Sequence, residues 1–310
     1  MYASSLSLVG NDLNFKQSLE FAKNISVTKS PVLITGDLGT GKRSLCYFMH
    51  ANSARKTGAF IVVDCAGELS RVEQEILGYR EEGTGKFFKG ALERGNGGTV
   101  IFANIDCLDE NFQKRLYKII QELPDYELDV RLGATTTKNL AKLVSAGRFQ
   151  RSLFSFFSCA QISLSTLKER AVDIETLSRH FIAEFSPDIE LSITDDAMEK
   201  LLNHTWSNNI AELREVMASA AQNHNEGVID LECLSMGDKK QDLRLADTDE
   251  EGFKLMSLRD AEKLLIKKAL IYTSENRTQA AKILGVSIRT LRNKINEYRN
   301  DGTNYFVNLR

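Results

Sequence analysis

Residues 36 to 44 read GDLGTGKRS. An apolar run precedes them and a helical pattern follows. Gly36-x-x-x-x-Gly41-Lys42 in that context is the arrangement in which backbone N–H groups and a helix N-terminus wrap a polyphosphate while a lysine neutralises it. Gly36, Asp37, Gly39, Thr40, Gly41, Lys42, Arg43 and Ser44 are therefore the candidate nucleotide-binding residues, with a purely structural glycine turn as the alternative. The position after the lysine usually holds a Ser or Thr that binds Mg²⁺. Here it is Arg43, with Ser44 one place further on. A hydrolase with such a loop also places an acidic pair at the end of a second strand, yet TVIFANID (99 to 106) ends its apolar run in Ala103 and Asn104. Neither side chain binds a metal or accepts a proton as a carboxylate does. Asp106 lies two residues on, a displacement too large for in-line attack.

A second set of residues suits another chemistry. In NRTQAAKILGVSIRTLRNKINEY (276 to 298), a short helix over 278 to 284 with Ala280, Ala281 and Leu284 inward leads to a Gly285-Val286 turn. Ser287 is the N-cap of a helix over 288 to 298 with Leu291 and Ile295 inward. Arg and Asn make paired contacts to guanine and adenine edges, whereas Lys and Thr suit phosphates. Arg277, Thr278, Ser287, Arg289, Thr290, Arg292, Asn293 and Lys294 are the candidate DNA-binding residues, Asn296 sharing their face. A helix over 258 to 270, with Leu258, Ala261, Leu264, Leu265, Ala269 and Leu270 inward, completes a helix-turn-helix. Residues 257 to 299 hold ten Lys or Arg against four Asp or Glu, in a chain of formal charge -2. The nucleic-acid surface is thus a local patch.

The elements that position the first set are short β-rich runs: 31 to 35, 60 to 64, 99 to 103 and 129 to 135. Helical stretches such as 111 to 122 separate them, so the sheet is parallel with helices on both faces. From about 166 to 235 the pattern is helical throughout, a small lid. The polar segment 237 to 252 reads as a linker. The domains are 1–165, an α/β nucleotide-binding part; 166–236, the lid; 237–254, the linker; and 255–300, the helix-turn-helix.

Five cysteines, at 46, 65, 107, 159 and 233, lack paired spacing and read as buried thiols. The four histidines are scattered, and neither a catalytic residue nor a metal ligand is assigned. The N-terminus has no export signal and no apolar stretch reaches the length of a membrane helix, which reads as cytoplasmic.

Landmarks in order carry a resemblance: VLITGDLGTGK, ILG (76 to 78), GALERGNGGTVIFANI (90 to 105), DVRLGATTTKNL (129 to 140), GRFQRSLF (147 to 154), LKERAVDI (167 to 174) and WSNNIAELRE (206 to 215). Together they resemble the AAA+ domain of bacterial enhancer-binding proteins, the ATPases that remodel the sigma-54 form of RNA polymerase. The segment 258 to 299 resembles the Fis-type DNA-binding domain of the same proteins, its later part being especially similar to flagellar regulators. The resemblance spans about Leu8 to Tyr298 and starts so near Met1 that it leaves no room in this chain for the family's usual sensor domain.

The resemblance implies an AAA+ P-loop domain with a parallel sheet and helical lid, then an all-α Fis-type domain. It also identifies losses. The family's Asp-Glu pair aligns with Ala103 and Asn104, its sensor asparagine with Thr137, and its two trans arginines with Gln150 and Phe156, with Arg151 off by one place. The lid arginine aligns with Ala211. The GAFTGA loop is replaced by YREEGTGKFFK (79 to 89), about three residues short. These losses imply a pseudo-ATPase that binds ATP or ADP without efficient hydrolysis and does not itself remodel sigma-54 polymerase.

Implied partners are double-stranded DNA at a two-fold site and RNA polymerase or a paralogous enhancer-binding protein. A homodimer or higher oligomer is implied, and no membrane. Some relatives bind cyclic di-GMP on this domain, which adds it as a candidate ligand. The alternatives are a working sigma-54 activator in which Asp106 and Arg151 stand in, and a modulator that acts by joining a paralogue.

Overall fold

Strand and helix boundaries follow from where apolar side chains can be buried, and in the computed structural model they give two units, Met1–Met236 and Gly237–Arg310. The structure describes residues 8–236 except 82, 188, 190, 225 and 226, together with 262, 266, 270, 277, 281 and 286–300. Within 286–300 the side chains of 288, 296, 297, 299 and 300 lie outside the description. The linker, Thr278, Ala280, Leu284, Gly285 and the inward residues 258, 261, 264, 265 and 269 fall outside it as well.

Along the first unit run α1 (Leu13–Ser26), β1 (Val32–Thr35), α2 (Lys42–Ala51), β2 (Phe60–Asp64) and α3 (Leu69–Leu77). A hairpin of β3 (Gly78–Arg80) and β4 (Phe87–Lys89) follows, then α4 (Ala91–Arg94), β5 (Thr99–Ala103) and α5 (Glu110–Glu122). After these come β6 (Arg131–Thr136), α6 (Leu140–Ser145), α7 (Arg151–Phe157) and β7 (Gln161–Ser163). The lid consists of α8 (Val172–Phe185), β8 (Ser192–Ile193), α9 (Asp195–Asn203), α10 (Asn209–Gln222) and β9 (Val228–Ile229).

Five strands form one parallel sheet in the order β2-β5-β6-β1-β7, with Thr35 level with Thr136 and Asp64 level with Ala103. Alternation sorts the side chains: Val32 and Ile34 pack with Phe15, Leu45 and Met49 on one face, Leu33 with Phe112, Leu153 and Phe157 on the other. With both faces covered, the strands β1 and β5 are largely apolar, as buried parallel strands require. Strand β7 was not among the expected strands; three residues, two of them exposed and polar (Gln161, Ser163), carry too little apolar signal. The expected strand 129 to 135 lies at Arg131–Thr136. Arg131 opens it, buried, and donates to the last carbonyls of α1, Ser26 O at 2.8 Å and Ile25 O at 2.9 Å, closing the negative end of that helix.

The lid is not helical throughout, because β8 and β9 pair in parallel beside α9. Its own core surrounds Trp206, whose indole N–H donates to Leu201 O at 3.0 Å. Among the described residues no helix is long and apolar enough to cross a membrane. Three cysteines are buried, but Cys107 and Cys159 are exposed, against the expectation of five buried thiols.

In the second unit Glu262, Ile266 and Leu270 are helical at four-residue spacing, the last two buried. The helix α11 (Ile288–Asn300) packs Leu291, Ile295 and Tyr298 into a core with them and Ala281. Ile266 is an inward residue that the expected pattern had omitted.

Candidate functional site

The loop 36–41 joins β1 to α2, and Gly41, at φ 97°, is the N-cap of that helix. Gly39, at φ 74°, admits no side chain: a Cβ there would lie 1.8 Å from Asn208 O. Every carbonyl of the loop is engaged. Lys42 Nζ donates to Gly36 O and Asp37 O, each at 2.8 Å. Asn209 Nδ2 donates to Leu38 O at 2.8 Å, the Ala211 amide to Gly39 O at 3.3 Å, and Arg170 Nη2 to Thr40 O at 3.1 Å. Thr40 is buried and its hydroxyl donates to Asp37 O at 2.9 Å.

The amides behave in the opposite way. Those of Leu38, Gly39 and Gly41 meet no acceptor among the described residues. A loop with satisfied carbonyls and free N–H groups, at the positive end of a helix, is an anion cradle. Burial lowers the pKa of Lys42, while Asp37 and Asp106 pull it the other way.

The lid clamps this cradle through Asn209, which the sequence argument did not single out, and through Arg170 of the LKERAVDI landmark, to which it gave a fold-defining place but no part in the site. Asn209, held at φ 50°, also accepts from the Leu167 amide at 2.7 Å. Arg170 is buried beside Asp173, and the Asp173 carboxylate accepts from the amides of Asn11 and Asp12. The signal available in sequence was two charges, Arg170 and Asp173, three residues apart on a helix start.

Next to Thr40, Gly41 and Ser44 lies a mostly apolar cavity of about 110 Å³ lined also by Leu8, Phe181 and Ile210. On the other side of the loop, Gly36 and Asp37 face a larger cavity of about 530 Å³ that Thr137 and Lys138 also line. Asp37 and Arg43 are exposed.

At the end of β5 the residues are committed to one another. Asn104 takes up φ 53°, a conformation that Asn tolerates better than most side chains. Its Nδ2 donates to Asp64 Oδ1 at 2.9 Å. The tight turn Ile105–Cys107 then folds Asp106 back into the sheet end, leaving its side chain 3% exposed. Thr136 Oγ1 donates to one oxygen of Asp106 at 2.5 Å, and Lys138 Nζ pairs with the other at 2.9 Å. That hydrogen bond and charge raise the Lys138 pKa. A divalent cation does not fit this arrangement. Each Asp106 oxygen already has one partner, the second a lysine ammonium whose charge opposes a cation, and Asp64 sits on a strand three places from β1, about 14 Å away.

Of the other aligned positions, Gln150 is the N-cap of α7 and its amide donates to Gln113 Oε1 at 2.8 Å. Phe156 packs edge-on against Phe157, with ring centres 5.1 Å apart. Arg151 is exposed at the start of α7. In the hairpin that occupies residues 78 to 89, Tyr79 stacks on Phe88 at 5.0 Å.

On α11, Arg289, Thr290, Arg292 and Asn293 are exposed. Ser287 Oγ accepts from the Thr290 amide at 3.0 Å and contacts Thr290 Oγ1 at 2.7 Å, so both hydroxyls serve the helix cap. Lys294 is turned inward: its ammonium pairs with Glu262 at 2.9 Å, and Tyr298 Oη donates to the same carboxylate at 2.7 Å. Arg277 is helical and partly exposed, and Thr278 lies outside the described residues.

The fold and this cradle define the class, a P-loop AAA+ domain with its helical lid, followed by a helix-turn-helix. Residues 8–163 match the sigma-54 interaction domain, 168–250 the AAA+ ATPase lid domain, and 257–298 the Fis family of bacterial regulatory proteins. The chain is 30% identical to the transcriptional regulatory protein FlbD of Caulobacter vibrioides, over 95% of its own length and 71% of FlbD. It is 35% identical to the Nif-specific regulatory protein of Azospirillum brasilense, over 72% of its own length but only 38% of that protein. NtrX from Brucella abortus, in a crystal structure with ADP, is 25% identical with a TM-score of 0.66, covering 94% of this chain and 70% of NtrX. The chain belongs to the sigma-54 interaction domain family of transcriptional regulators and carries that family's DNA-binding helix-turn-helix.

Proposed function

We propose that this regulator binds specific DNA through α11 and uses its AAA+ domain as an adenine-nucleotide-binding, hydrolysis-deficient platform. The observation that carries the reading is the commitment of Asp106. Asp106, the carboxylate that follows β5, accepts at one oxygen from Thr136 and pairs at the other with Lys138, beside a strand end that reads Ala103-Asn104. An attacking water needs a carboxylate that is free to polarise it, and the transferring phosphoryl group needs a metal or arginine opposite. Here the candidate carboxylate is engaged, Phe156 packs partly buried against the core, and Gln150 stands at the start of α7.

Nucleotide itself suits the cradle. The free amides and Lys42 would hold its phosphates, and the cavity beside Ile210 and Phe181 its base. Bound nucleotide would supply polyphosphate charge that ties the loop to α2. The lid residues Asn209, Ala211 and Arg170 keep the loop in shape. Adenine nucleotide is the ligand this geometry favours, whereas cyclic di-GMP rests on resemblance alone.

The regulator acts as a homodimer or higher oligomer on a two-fold DNA site, and reaches RNA polymerase directly or through a paralogue. Its cytoplasmic location follows from that role.

Phosphate release by the purified chain, with and without DNA, tests the reading. Turnover at background is expected. Robust turnover that disappears in Lys42→Ala would restore the ATPase and sink the proposal. In the same preparation, Arg292→Ala lowers specific DNA affinity by about 1–3 kcal/mol in gel shifts, the value of one paired base contact.

A further inference from the structure

We propose that the nucleotide is held without a divalent cation, and that the Arg43 guanidinium supplies the charge that Mg²⁺ supplies in other phosphate loops. The inference rests on the nucleotide reading above and concerns how that site neutralises its ligand.

Polyphosphate brings several negative charges to one point, and Lys42 answers only one of them. In ordinary loops the rest falls to a metal held by the hydroxyl after the lysine and by a carboxylate at the end of a second strand. Both ligands are missing here for local reasons. Arg43 occupies the hydroxyl position. Ser44, one residue later, lines the apolar cavity with Leu45 and Ile210. Asp106 accepts from Thr136 and is charge-paired with Lys138, whose ammonium stands where a metal would compete, and Asp64 accepts from Asn104 and from the Ala66 amide at 3.0 Å.

The cations around the loop divide just as clearly. Arg170 is buried against Thr40 O and Asp173, and Lys138 is paired with Asp106. Arg43 is exposed on the first turn of α2 and makes no hydrogen bond or ion pair among the described residues. Its place in the chain puts it beside the amides that a phosphate would meet. A guanidinium is permanently charged and its planar fork grips two phosphate oxygens at once, which an ammonium cannot do. The same charge repels a metal from that spot. Arg43 thus both substitutes for the cation and excludes it.

Calorimetric titration of the full chain with ATP, in EDTA and in Mg²⁺, tests this directly. Affinities in the two buffers are expected to agree within about three-fold, against the ten-fold or greater loss on chelation that a metal-bridged site shows. Arg43→Ala is expected to weaken ATP binding in EDTA by about ten-fold or more, Arg43→Lys by less, since a charged hydrogen bond pair is removed in the first and half restored in the second. Arg43→Ser is expected to make binding depend on Mg²⁺. The side chain is exposed, and thermal melts check that each variant folds. Tight binding only in Mg²⁺, lost in Asp106→Asn, would put a metal on Asp106 and overturn the inference while leaving the nucleotide reading intact. An Arg43→Ala protein with wild-type affinity would likewise remove the arginine's role. Absence of binding in both buffers would sink the nucleotide reading and this inference together.

Discussion

The C-terminal ends of β1 and β5 lie two strands apart in the same sheet and treat their polar groups in opposite ways. At β1 the loop carbonyls are satisfied by Lys42 and the lid, so the amides of Leu38, Gly39 and Gly41 remain for a ligand. At β5 the side chains satisfy one another: Asn104 with Asp64, and Asp106 with Thr136 and Lys138. On the proposed reading, the contrast separates binding from hydrolysis within one fold. A cradle needs backbone, which substitutions at a neighbouring strand leave alone. Hydrolysis needs free carboxylates, and a carboxylate that finds internal partners stops being free.

The sharpest way to break the β1 end is Gly39→Val. The new Cβ falls 1.8 Å from Asn208 O at a positive φ, so the lid cannot sit where it does. A loss of about 3 kcal/mol or more is expected in urea melts, together with loss of nucleotide binding. Wild-type stability would mean that the lid contact is dispensable.

Asp106→Asn probes the other end. It removes the Lys138 pair and weakens the Thr136 bond, for an expected cost of about 1 kcal/mol in the same melts, the partner being half exposed. Phosphate release is expected to stay at the wild-type level. A drop from measurable turnover would show Asp106 to be a working base and erase the contrast.

The smallest effect concerns pH. Asp106 raises the Lys138 pKa, so the pair contributes stability that is fully present below the ordinary lysine value and is lost as pH rises through the raised folded value. Alkaline melts should show wild type losing its advantage over Lys138→Met in that window. A constant gap between the two across the alkaline range would remove the pair from the account.

Much of this was legible in the chain. The phosphate loop, three of the five strands and the inward residues Leu291 and Ile295 follow from local spacing, because strand and helix periods sort side chains before any tertiary contact forms. Strand β7 was not legible, since pairing with β1 defines it and its own residues do not. Lys294 reads as a DNA contact by type and spacing. Its ammonium pairs with Glu262, 32 residues away, in a contact that leaves both side chains partly exposed. Ser287 and Thr290 similarly turn out to serve the cap of α11.

The sequence by itself determined which groups are available: a glycine-rich loop with a lysine, a strand end without its acidic pair, and an arginine where a metal ligand usually stands. Those are matters of residue type and order, which no folding alters. Tertiary structure alone decided which of those groups remain free. Asp106 and Lys138 meet at the C-terminal end of the sheet, and the lid reaches the loop from 171 residues away, because burying a charge or a carbonyl demands a partner wherever the chain can bring one.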